Sequence, residues 1–152
     1  MRRWLWILGA VLVLLGGSGE ERKLEHLRPA ALLYVREQAG ELWVETDLGD
    51  LGRGSTMDEA MENMQKTASG RILFDTIDLL VMEEKAVYAL QEVADFLRPA
   101  TEVAVGKGKI DPEKAAAYLH IHKPGLTLQQ LRQESCRPPV LRGRRGRYSL
   151  ER

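Results

Sequence analysis

The chain has a single cysteine, Cys136, in 152 residues, so no internal disulfide is available and the fold must hold by packing alone. No uninterrupted apolar run reaches the roughly 20 residues of a comfortable membrane span. Missing as well are the Cys-x-x-Cys and His-Glu-x-x-His patterns of metal sites and the Walker and dinucleotide glycine signatures. No Ser-His-Asp or Cys-His arrangement is recognisable. The sequence therefore assigns no catalytic, cofactor-binding or metal-ligating residue, implies no cofactor, and reads as non-enzymatic.

Net charge is zero, but its parts are not neutral. Residues 20–134 carry 14 Lys/Arg against 21 Asp/Glu, whereas residues 137–152 carry six arginines and one glutamate. An acidic body repels phosphate, which argues against nucleic acid as a partner. Hydrophobic residues at 44% and charged residues at 29% fit a globular domain.

At the start, Arg2-Arg3 precede the uncharged stretch Trp4 to Leu15 and the exit Gly16-Gly17-Ser18-Gly19. That layout predicts an apolar helix over residues 1–19, serving as a secretory signal or as an N-terminal membrane anchor through residues 4–17. The rest is then expected on the extracytoplasmic face of the cytoplasmic membrane, anchored or secreted. Residues 20–30 read as a charged linker, 31–135 as one α/β domain, and 136–152 as a basic disordered tail, from its Pro-Pro and Arg-Gly composition.

Within the domain, the β-rich runs 31–35 and 42–46 flank Gln38-Ala39-Gly40 and predict a hairpin. Gly49, Gly52 and Gly54 predict a loop. Thr56 with Glu59 has the spacing of a capping box, and Met57, Ala60, Met61, Met64 and Ala68 give the following helix one apolar stripe. Residues 72–74 and 77–82 predict strand, the latter apolar enough to be central. A second helix is expected from Glu83-Glu84 to Leu97, buried along Val87, Leu90, Ala94 and Leu97. A short strand follows at 101–105 and a loop at Gly106-Lys107-Gly108-Lys109. Asp111-Pro112 is a strong helix start, and Thr127 caps a last helix. The expected fold is α/β (α+β), a mixed sheet with helices packed on it, in the order β-β-α-β-α-β-α-α.

Residues 54–64, Gly-Ser-Thr-Met-Asp-Glu-Ala-Met-Glu-Asn-Met, resemble the helix start of the spore germination Ger(x)C proteins, the C subunits of germinant receptors. Residues 71–84, Asp95-Phe96-Leu97-Arg98 and Val103 to Gly108 occupy the places of that family's next strand, helix end and strand-turn. The resemblance covers residues 31–119 and implies a relative of the family's first domain alone. Two departures stand out: no cysteine follows the apolar run, whereas the family are lipoproteins, and the family's further two hundred or so residues are missing. It implies a non-enzymatic interaction module whose partners are membrane proteins of a germination or sporulation complex. Two other functions stay open: an exported domain binding a small ligand or ion, and a ring-forming domain of a sporulation channel; composition leaves the oligomeric state undetermined.

Several spots invite a chemical reading beside a plainer one. His120-Ile121-His122 suggests metal, but histidines two apart diverge on a helix. Gly106 to Lys109 before the Asp111 helix suggests an anion site or a solvated turn. The Met57, Met61, Met64 row suggests an adaptable binding surface or core filler. Asp75, Asp78, Glu83 and Glu84 suggest a carboxylate pair or solvated strand ends. Arg142, Arg144, Arg145 and Arg147 suggest a contact with acidic lipid or protein.

Overall fold

The computed structural model describes residues 26–134 and 136–152. The expected apolar helix over 1–19 and most of the linker lie outside the described residues.

β1 (Leu27–Pro29), β2 (Leu32–Gln38), β3 (Glu41–Thr46) and β4 (Leu51–Gly54) lead into α1 (Met57–Thr67). β5 (Arg71–Leu73), β6 (Leu79–Glu83), α2 (Leu90–Ala94), β7 (Glu102–Gly108), α3 (Pro112–Ile121), α4 (Leu128–Gln133), β8 (Val140–Arg144) and β9 (Arg147–Glu151) complete the chain. Seven strands form one mixed sheet in the order β4-β3-β2-β6-β7-β8-β9, and β1 pairs with β5 in a separate parallel ribbon. β2, β6, β7 and β8 run parallel, and antiparallel strands flank them on both sides. The fold class is therefore the expected mixed α/β sheet, but the element order differs from the expected one.

The sheet has two unequally covered faces. Leu33 and Val35 of β2, Val44 of β3 and Leu80 and Met82 of β6 pack beneath Met57, Ala60, Met61 and Met64 of α1 and Val93 of α2. On the reverse, Leu32, Tyr34, Leu79, Val81, Ala104 and Leu141 pack against Ala115, Ala116 and Leu119 of α3. The methionine row is thus core.

Local signals place the helices. Thr56 accepts from Glu59 N at 3.2 Å, Asp111 from Lys114 N at 3.3 Å with Pro112 in the first turn, and Thr127 exchanges a full capping box with Gln130. The box at Thr56 is altered, because the Glu59 carboxylate accepts from the amide and hydroxyl of Ser55, each at 2.8 Å. The hairpin between β2 and β3 turns through Ala39 and Gly40, both at positive φ, as the twist of a two-residue connection requires.

Five expectations are corrected. The glycine-rich stretch is not all loop: Gly49 turns the chain, but Gly52 and Gly54 belong to β4. A Cβ on Gly52 would lie 2.1 Å from the Ala60 carbonyl oxygen, so these glycines let α1 settle directly on the strand. Gly106 to Gly108 continue β7 instead of forming a loop. The expected helix 83–97 is a 3₁₀ stretch over Glu84–Ala89 followed by the single α-turn of α2, with Tyr88 facing solvent. The linker's end is β1, which Arg28 ties to the β3–β4 turn through Asp50 (3.0 Å) and the Leu48 carbonyl (3.2 Å). The tail is ordered: residues 140–151 form a hairpin that adds two strands to the sheet, so the domain does not end at 135. Arginine content concealed a period of two, with Leu141, Tyr148 and Leu150 all turned to the α3 side.

β4 ends one side of the sheet, and side chains of α1 reach its outward carbonyls. Arg53 O accepts from the Asn63 amide at 2.8 Å, and Leu51 O lies 3.1 Å from the Thr67 hydroxyl, which shares its one proton with the helix carbonyl of Asn63 at 3.0 Å.

Leu141→Ala is expected to lower unfolding free energy by about 3 kcal/mol, seen as a lower urea midpoint at constant m. An unstructured tail would leave the midpoint unmoved.

Candidate functional site

Four parallel strands bring their C-terminal ends to one rim. β2 ends there in Arg36, Glu37 and Gln38, β6 in Glu83 and then Glu84, and β7 in Gly106, Lys107 and Gly108. β8 ends beside them with Arg142 and Arg144, in register with Lys107 and the residues after it. In open α/β sheets this is the side on which ligands are held, because side chains and loops converge beyond the strand ends. The first three strands enclose an open groove of about 440 Å³ lined by Arg36, Glu37, Glu83, Glu84, Lys85 and Lys107.

Charge changes sign along this rim. Its β2–β6 part is mixed and acid-rich, Lys107 closes on Glu84 at 3.3 Å, and the β8 end is basic. Arg142 pairs with Glu151 at 2.6 Å, which holds that carboxyl below its usual range. Among the described residues Arg144, Arg145 and Arg147 have no ion-pair partner.

Tyr34 sits under the groove, only 4% exposed, with its hydroxyl donating a long hydrogen bond of 3.5 Å to Glu83. Burial, reinforced by the Glu83 charge, pushes this phenol well above its ordinary value. It stays protonated and serves as a donor, not as a base. On the same face and one step nearer the rim, Arg36, Trp43 and Arg53 lie directly opposite one another across β2, β3 and β4. Their guanidinium carbons stand 5.1 and 5.8 Å from the indole ring. Glu45, half-buried beside them, is raised by desolvation against the pull of Arg36.

Three of the spots singled out in the sequence therefore meet on one rim: Glu83-Glu84, Gly106 to Gly108, and the tail arginines. The others do not join them. Asp75 lies in a 3₁₀ turn and Asp78 precedes β6 at its opposite end. His120 and His122 stand at the end of α3, where the His122 ring packs on Tyr118 with centroids 4.4 Å apart, while His26 lies against Gly70. Among the described residues no group of three His, Cys, Asp or Glu side chains could hold a metal ion. Cys136 is exposed and donates to Glu134 at 3.2 Å, a contact that raises the thiol and opposes activation. Tyr34, Arg36 and Glu37 were not singled out in the sequence; the alternation of Leu32, Tyr34 and Arg36 was the signal that places the last two on one face.

The chain matches no family model, no curated protein and no solved structure. Among the described residues no helix is long and apolar enough to cross a membrane.

Tyr34 gives the rim a pH signature. A phenol raised by folding stabilises the protein fully below its unfolded value, and that contribution fades as pH climbs from about 10. Tyr34→Phe is expected to cost about 1 kcal/mol or less at pH 7 and to flatten the loss of stability above pH 10, in urea titrations across pH. An unchanged alkaline slope would contradict the assignment.

Proposed function

We propose that this chain is a non-enzymatic contact module at a membrane, acting through the charged rim at the C-terminal ends of β2, β6, β7 and β8. The observation that carries this reading is the pairing inside the rim. Lys107 engages Glu84 and Tyr34 donates to Glu83, so two of the groove's carboxylates are already partnered instead of converging on one reacting atom. What is left over is a gradient of sign, which suits recognition of a charged protein surface and sets orientation more than affinity. The Trp4 to Leu15 run supports a membrane location outside the cytoplasm, as an anchor or as an export signal. Placement in a germination or sporulation assembly rests on the resemblance to the first domain of the Ger(x)C proteins.

A second reading, a domain that takes a small ligand, is favoured by the position of the groove at the ends of parallel strands. A thermal-shift screen separates the two, since a marked rise with one small molecule or ion favours the binder.

For the contact module, the charge reversal Arg144→Glu/Arg145→Glu is expected to leave the unfolding free energy in urea within about 0.5 kcal/mol of the parent. The same variant should lose most of the integral membrane proteins that cross-link to the full chain in its native host. Retention of those proteins, or release of the parent chain into the soluble fraction by carbonate, would count against this function.

A further inference from the structure

The edge of the sheet opposite β4 differs from it. The β8–β9 hairpin turns through Arg145 and Gly146, at φ 47° and 77°, a two-residue turn that makes Arg144–Arg147 a hydrogen-bonded pair. The pattern alternates, so Arg142–Ser149 and Val140–Glu151 are bonded as well, and the amides and carbonyls of Tyr148 and Leu150 point away from β8. Among the described residues nothing pairs with them. Beside this edge, on the α3 side, Ile121 is 78% exposed and shares an open groove with Tyr118, His122 and Leu150.

The sequence of the bare strand is complementary to itself. Written antiparallel to its own copy about Ser149, Arg-Tyr-Ser-Leu-Glu sets Arg147 opposite Glu151, Tyr148 opposite Leu150, and Ser149 opposite Ser149. The parity also agrees: the Tyr148–Leu150 pairs use the outward groups, and the Arg147–Glu151 and Ser149–Ser149 pairs are the non-hydrogen-bonded ones, where side chains come closest. Both ion pairs fall on one face of the joined sheet, where Glu151 already meets Arg142. Both Tyr148–Leu150 pairs fall on the other, next to Ile121. Registers centred on Tyr148 or Leu150 keep the parity but lose the two ion pairs.

We infer that β9 is an interface between two copies of this chain, which pair antiparallel about Ser149 into a continuous sheet. The site is separate from the rim groove, and its test does not depend on the partner proposed there.

The experiment uses the full chain in detergent, with Cys136→Ser as background. Ser149→Cys is expected to give a disulfide-linked dimer on mild oxidation, because Cα atoms of such a pair lie about 4.5 Å apart, within disulfide reach. Lys66→Cys, on the exposed side of α1, is the control and should stay monomeric on the same gel. Arg147→Glu sets like charges opposite each other twice and is expected to weaken dimerisation, by analytical ultracentrifugation, about tenfold or more. Combining it with Glu151→Arg restores opposite pairs and should recover most of the loss, with far-UV circular dichroism confirming that each variant is folded. A parent chain that stays monomeric, equal cross-linking at positions 66 and 149, or a dimer indifferent to Arg147→Glu would overturn the inference. So would a folded double variant in which the charge swap fails to restore dimerisation.

Discussion

Burial of β6 on both of its faces is the constraint from which the architecture follows. Leu79, Leu80, Val81 and Met82 are each at most 1% exposed, and alternate members look to opposite sides of the sheet. Each such side chain is worth about 2 kcal/mol when withdrawn from water, but only if both sides are covered. The chain meets this by sending α1 and α2 to one side and α3 to the other. The neighbouring strands β2 and β7 inherit the same requirement over most of their length. Only where cover runs out do charged side chains emerge, and that is where the rim lies.

The connections at the opposite end of the parallel strands are fixed by hydrogen bonds that stand in for missing ladder partners. The Asp47 carboxylate accepts from the amides of Ala31 and Leu32 at 2.9 and 3.0 Å, and Ala31 O accepts from Asp78 and Leu79. The Thr101 hydroxyl donates to the Ile77 carbonyl, and the Thr76 hydroxyl sits between the carbonyls of Leu73 and Ala30 at 2.7 and 2.8 Å. Entry into β2, β6 and β7 is therefore locked. With one end so constrained, variation in side-chain chemistry at the other end costs the fold little.

Elements whose determinants are close in sequence were legible before the fold was known. Thr56, Asp111 and Thr127 each satisfy amides within three residues, so their helices were placed at the right starts. The β2–β3 hairpin was legible for the same reason, since its turn residues lie between its strands. β4 and the β8–β9 hairpin were not, because what makes them strands is remote: α1 pressing on Gly52 and Gly54, and α3 and β7 receiving Leu141 and Tyr148. Glycine and arginine counts described their composition but not their surroundings. The helix expected at 83–97 failed differently, since its apolar positions suit either a 3₁₀ or an α repeat over so short a span. Of the rim, the individual charges were visible but their convergence was not, because it depends on strand order.

The side chains of Asn63 and Thr67 along β4 carry a consequence for how far such a sheet could grow. A protein with two receptive edges can add neighbours without end, as fibres do, whereas one with a single receptive edge is saturated after one addition. Because helix α1 leans on the outer carbonyls of its own flank, the β4 side of the seven-stranded sheet is a poorer acceptor of an incoming strand than the β9 side, so growth by strand addition is lopsided.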